Sequence, residues 1–228
     1  MNKYMKKTEK FSSPEPRSFQ NIFESNFRLP PKVCIVAPGL NGKEHYSKIP
    51  NDCSVIAVSK AVLIPELRGR IDIWMMCHGD QDWFKEAKAT FNGMYVFSHD
   101  ALVQAEALLA GKTDCYYFKP PEEYLEENIL SSVEGCIRYG GTVSGCALQF
   151  AYNFGAKEIL LCGIDMSGEQ YWDNTLTIHP RHRPHHGEIW TAARNMNPLI
   201  KWMIEEKGIK IFTLSPTKLN VPHYNFEE

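Results

Sequence analysis

Residues Gly140–Gly168, GGTVSGCALQFAYNFGAKEILLCGIDMSG, hold a turn, a helix, a strand and a second turn in that order. Val143, Cys146, Ala147, Phe150, Ala151 and Phe154 recur at helical spacing, so a helix from Thr142 to Phe154 must bury one face. Gly155 ends it as the residue just past the cap. Ile159 to Cys162 is then a continuous apolar run, as in a strand covered on both faces. The chain leaves that strand through Gly163-Ile164-Asp165, where open α/β sheets place their ligand chemistry. At the far end of the helix, Thr142 and Ser144 bring hydroxyls and backbone N–H groups to a helix N-terminus, a ready anion site. The same glycines equally suit plain tight turns, and the spacing alone does not choose between the two.

Outward from this unit, Lys32 to Ala37, Ser54 to Val58, Ile71 to Cys77, Met94 to Ser98, Cys115 to Phe118 and Lys210 to Leu214 read as further strands. Each is short, rich in β-branched or aromatic residues and bounded by turn formers. Helical patterns fall between them at Lys60–Leu67, Gln81–Phe91, His99–Ala110 and Glu122–Val133, with a last one ending at Lys207. Asn197-Pro198 predicts the start of that last helix, with Pro at its first position, and Gly208 its stop. Strands alternating with helices predict an α/β fold: a doubly wound, mostly parallel, Rossmann-like sheet with helices on both faces. Residues 1–29 read as a polar N-terminal arm closed by Pro30-Pro31, and residues 30–228 as a single domain of nucleotide-binding type.

With 43% hydrophobic and 23% charged residues, the composition is that of a soluble globular protein. A formal net charge of −2 argues against broad nucleic-acid binding, because no face is committed to a phosphate backbone. The seven cysteines are scattered without a CxxC pair, and several sit in apolar runs, which fits small core residues in a reducing compartment. The basic start lacks an apolar signal core, and no run of about 18 apolar residues could span a membrane. A cytoplasmic location is therefore expected. The lysines at 3, 6, 7 and 10 would allow at most peripheral membrane contact; a solvated tail is the favoured reading, because the stretch has little apolar face to insert.

Three further groups of residues bear on chemistry. The first strand runs into Ala37-Pro38-Gly39-Leu40-Asn41-Gly42, where Gly39 can admit a phosphate or ribose to the backbone and Asn41 can hydrogen-bond a nucleotide. The third strand runs into His78-Gly79-Asp80-Gln81-Asp82; the two carboxylates could hold a divalent ion, but capping of the next helix is the simpler role, and no metal site is assigned. Finally, His179-Pro-Arg-His182-Arg-Pro-His185-His186 holds half of the eight histidines within eight residues. A histidine here suits a general base, since imidazole titrates near working pH. Zinc binding and a solvated polar loop are the competing uses; the prolines oppose a regular histidine face, and no cysteine completes a ligand set.

Taken together, TVSG, GAKEILLCGID, the histidine segment and IKIFTLSP resemble, in that order, the sialyltransferase-like family of bacterial glycosyltransferases. The motility-accessory-factor and hydroxymethylpterin-diphosphokinase-like proteins share much of the same core. The likeness is good from Gly140 to Pro216 and loose from Lys32 to Asp82. It implies that Gly39, Asn41, Thr142, Ser144, Gly145 and Asp165 line a nucleotide pocket. It also implies that His185, with His186 beside it, is the catalytic base, and that Ser167 and Tyr171 stand where the family has two phosphate-stabilising tyrosines. Pro38, the extra Val143, Ser167 and the register of Tyr171 depart from the family pattern.

The function implied is transfer of a sialic-acid-like sugar from a nucleotide donor, CMP-linked by the resemblance, to a glycan hydroxyl. No cofactor is required beyond the donor. The diphosphokinase relatives imply an alternative, magnesium-dependent reaction on a pterin alcohol. The departures leave a second alternative: a nucleotide- or glycan-binding protein of this fold without turnover. The acceptor and the oligomeric state are not encoded in any motif.

Overall fold

A computed structural model describes residues 19–77, 83–109, 111–119, 134–138, 142–166 and 188–226. Eight strands form one open, wholly parallel sheet: β1 (Gln20–Asn21), β2 (Lys32–Val36), β3 (Ser54–Val58), β4 (Ile73–Met76), β5 (Met94–Ser98), β6 (Cys115–Phe118), β7 (Glu158–Cys162) and β8 (Lys210–Thr213). Their spatial order is β1-β6-β5-β4-β3-β2-β7-β8. From β2 the chain winds outward through β3 to β6, then returns to lay β7 and β8 on the other side of β2. The predicted doubly wound α/β sheet is thus what forms, and its switch point lies between β2 and β7.

The period-two alternation of side chains divides each central strand between two cores. Val33 and Ile35 of β2, Ile56 of β3 and Ile159 and Leu161 of β7 face one side, under α3 (Val143–Asn153) and α4 (Glu188–Glu205). Cys34, Val36, Val55, Leu160 and Cys162 face the other, under α1 (Phe84–Thr90) and α2 (His99–Leu109). On that second side Trp74 is wholly buried, with Phe84, Tyr95 and Phe97 rings 5.0–5.7 Å from its own.

The helix in the opening stretch forms where its pattern predicts, but it is buried almost all round rather than on one face. Ser144 through Ala151 are all buried. The second cover comes from residues 19–29, assigned by composition to the arm. Phe23 and Phe27 pack on Phe154 and Phe150, and Leu29 N–H donates to the Phe154 carbonyl at 2.8 Å. Gly155, at φ 101°, ends α3 with a Schellman pair: Ala156 N–H to Ala151 C=O and Gly155 N–H to Tyr152 C=O.

Two sequence expectations need correction. Lys60–Leu67 is not an α-helix but two 3-10 turns, Ser59–Leu63 and Pro65–Leu67, because Pro65 cannot donate into a continuous helix. Pro198 does not open the last helix; it lies inside α4, which starts at Glu188. Burial of Met196, Leu199, Ile200 and Met203 on the sheet outweighs the lost hydrogen bond. The expected helix at 122–133, together with Asp80 and Asp82, lies outside the described residues. The β8 edge is covered by residues 222–224, through Thr213 N–H to Pro222 C=O and Tyr224 N–H to Thr213 C=O.

Candidate functional site

The crevice at the carboxyl ends of β2 and β7 is built from three loops sewn together by hydrogen bonds. The β2–β7 ladder continues past both strands, first through Ala37 N–H to Cys162 C=O at 2.9 Å, then through Gly39 N–H to Gly163 C=O at 2.9 Å. A third rung follows, in which Asn41 N–H donates to Asp165 Oδ2 at 2.9 Å. Gly39 approaches so closely that a Cβ there would lie 2.4 Å from the Gly163 carbonyl oxygen and 2.6 Å from the Asp165 carboxyl carbon. Only glycine fits.

The third loop is the LSPTK turn after β8. Ser215 Oγ accepts from Gly163 N–H at 2.9 Å, Thr217 Oγ1 donates to Ile164 C=O at 2.6 Å, and Lys218 N–H donates to Asp165 C=O at 3.2 Å. Asn41 closes the ring by donating its side-chain N–H to Pro216 C=O at 3.2 Å. Asp165 is therefore a buried tie between loops, with 7% of its surface exposed. Asn41 spends its backbone N–H and one of its two side-chain N–H groups on the same scaffold.

Thr142, Ser144 and Gly145 stand at the same edge of the sheet, because α3 runs antiparallel to the strands. Its first turn carries Cys146, whose Sγ lies 3.7 Å from that of Cys77 at the end of β4. Thr142 is the N-cap: its Oγ1 accepts from Ser144 N–H at 3.3 Å, and its carbonyl accepts from Gly145 N–H at 3.1 Å. The positive end of the helix dipole points into the crevice side of the sheet, where it favours an anion. The structure thus brings Gly39, Asn41 and Asp165 into one bonded group and sets Thr142, Ser144 and Gly145 along the same edge. Ser167, Tyr171, His185 and His186 lie outside the described residues.

Several contributors escape a reading of the sequence. Ser59, at the end of β3, holds φ 53°, as does Met166 just after Asp165; left-handed non-glycine residues cost of order 1 kcal/mol and concentrate at functional sites. Gln149, fully buried, pairs both backbone groups of Arg138 at 2.8 Å, and Asn153 one turn on pairs Cys136 C=O and Gly135 N–H. These two amides pin residues 135–138 along α3, with the Arg138 side chain buried and bonded to the Cys136 thiol. One signal was available: a lone Gln amid Ala147, Leu148 and Phe150 must find partners. Burial, with Cys162 and Asp165 nearby, pushes the Tyr46 phenol well above its usual range. Burial, reinforced by Asp165, likewise takes the Cys162 thiol up to about 12. Among the described residues no group of three or more His, Cys, Asp or Glu could hold a metal ion.

No family model matches the chain, and no curated protein matches it. Solved structures do. The chain is similar to the sialyltransferase CstII from Campylobacter jejuni in complex with a substrate analogue, cytidine-5'-monophosphate, at 15% identity, with 86% of each chain covered and a TM-score of 0.52. The complex of the same enzyme with CMP-3FNeuAc aligns at 17% identity over 86% of this chain and 87% of that one, TM-score 0.52. The monofunctional α-2,3-sialyltransferase Cst-I from Campylobacter jejuni aligns at 12% identity over 89% and 86%, TM-score 0.52. The class defined is one of fold: a single open, parallel α/β sheet of the sialyltransferase type. No described helix is long and apolar enough to cross a membrane.

Proposed function

We propose that this chain is a glycosyltransferase that moves a sialic-acid-like sugar from a CMP-linked donor to a hydroxyl of a glycan acceptor. The observation that carries the reading is the bonded group of Gly39, Asn41 and Asp165 at the switch point, in a fold also seen in enzymes solved with CMP. The Thr142 cap supplies partial positive charge on the same edge, which suits a nucleotide phosphate.

In this mechanism the imidazole of His185, with His186 as its neighbour, takes the proton from the acceptor hydroxyl. The acceptor oxygen bonds to the anomeric carbon as the carbon–oxygen bond to phosphate breaks, and CMP departs with the electron pair. Ser167, Tyr171 and the α3 amides stabilise the charge that develops on the leaving phosphate. Positioning and charge stabilisation supply the rate, with no covalent enzyme intermediate and no cofactor beyond the donor.

Thermal unfolding with CMP, CDP, UDP, GDP and ATP, each with magnesium and with chelator, tests the reading. A ligand of the native state at a hundred times its Kd adds about 2.7 kcal/mol. A shift with CMP that survives chelator is expected. A shift only with ATP and magnesium would transfer the assignment to phosphoryl chemistry, and no shift with any of the five would remove the nucleotide site.

A further inference from the structure

Behind the crevice, Tyr46 touches both loops that meet at the switch point. It opens the 3-10 turn Tyr46–Lys48 and is 1% exposed. Its hydroxyl lies 3.0 Å from the Ala37 carbonyl oxygen and 2.9 Å from that of Gly39. A phenol has one proton to give, so the two carbonyls share it. The same ring explains two glycines: a Cβ at Gly42 would lie 2.5 Å from the Tyr46 ring, and one at Gly163 would lie 2.7 Å from its hydroxyl.

We infer that Tyr46 is a positioning residue of the candidate site, fixing residues 37–42 against the Gly-Ile-Asp loop so that Gly39 and Asn41 present a set geometry to a nucleotide. The inference rests on the nucleotide reading above. The loop is held from two sides. Its N–H groups at Gly39 and Asn41 bond across the crevice to Gly163 and Asp165, while its carbonyls at Ala37 and Gly39 bond backward to Tyr46. Neither tie alone sets the loop's rotation about the strand axis; both together do. The hydroxyl serves as a donor, since both partners are carbonyl oxygens and a phenol keeps its proton at neutral pH. A phenylalanine would fill the same core volume and remove only this donor.

The test is Tyr46→Phe, measured by hydrogen exchange of the peptide covering 37–44 and by the Kd for CMP. Exchange in that peptide should rise by about tenfold or more, with β3 and β5 peptides unchanged, as expected of a local opening. The CMP Kd should weaken by a similar factor. A merely structural tyrosine would speed exchange in strands and loop together and leave the Kd alone, which would overturn the inference. So would a loosened loop with unchanged CMP affinity. If the wild-type protein does not bind CMP, the nucleotide reading fails by itself, and the exchange data still decide whether Tyr46 holds the loop. Gly42→Ala, whose methyl group would displace the ring while keeping tyrosine, should give the same signature and stands in if Tyr46→Phe does not fold.

Discussion

The Asp165 carboxylate accepts the backbone N–H of Asn41 at 2.9 Å, joining the loop that leaves β2 to the loop that leaves β7. The two residues are 124 positions apart, and the bond crosses the switch point of the sheet. It ties the two loops into one unit, so under the proposed function ligand affinity and local stability are coupled there.

Asp165→Ala should therefore lower stability by roughly 1–3 kcal/mol, the cost of stranding a buried partner of a charged hydrogen bond. Asp165→Asn keeps an acceptor oxygen at the same place and should lose less. Urea unfolding of the two variants measures the difference; equal losses would mean that charge, not the Asn41 bond, is what matters.

Glycine substitutions should separate crowding from backbone preference. Gly163 has φ 68° and its Cβ would lie 2.2 Å from the Ala37 carbonyl oxygen, whereas Gly155 has φ 101° and open space around it. Gly155→Ala should cost about 1–2 kcal/mol, the left-handed penalty alone. Gly163→Ala should cost several times more, because β2 and β7 would have to part. Thermal melts of the pair provide the comparison.

Alkali should destabilise the protein in a defined window. Burial raises the Cys115 thiol to about 11 and the Cys162 thiol to about 12, against about 8.5 in an unfolded chain. The unfolded state alone ionises above that lower value. Stability is then complete below about pH 8.5 and falls as pH climbs toward 11–12, by roughly 1 kcal/mol per pH unit for each group. Cys162→Ala should make the slope of stability against pH shallower between pH 9 and about 11, whatever its effect at neutral pH.

His185→Ala should reduce transfer by roughly 10²–10⁴-fold, the usual contribution of a positioned base, while CMP affinity persists. His186→Ala should be much milder. A larger loss in His186→Ala would move the base one residue along, and loss of CMP binding in either variant would mean that the segment holds the nucleotide instead.

The seven strands from β2 to β8, the buried run Ile159–Cys162 of β7 and the cap at Gly155 were legible because each depends on periodicity or on one residue's backbone. The sequence likewise marked Gly39, Asn41 and Asp165 as loop residues at strand ends, which is as far as local pattern reaches. That Asn41 would bond to Asp165 rather than stand open depends on β7 returning beside β2, a fact of strand order. Tertiary packing alone drew residues 19–29 onto α3, carried α4 through Pro198, and set Tyr46 behind the glycine loop. Each of these is a gain from burial between segments remote in sequence, and burial energy leaves no mark on either segment read by itself.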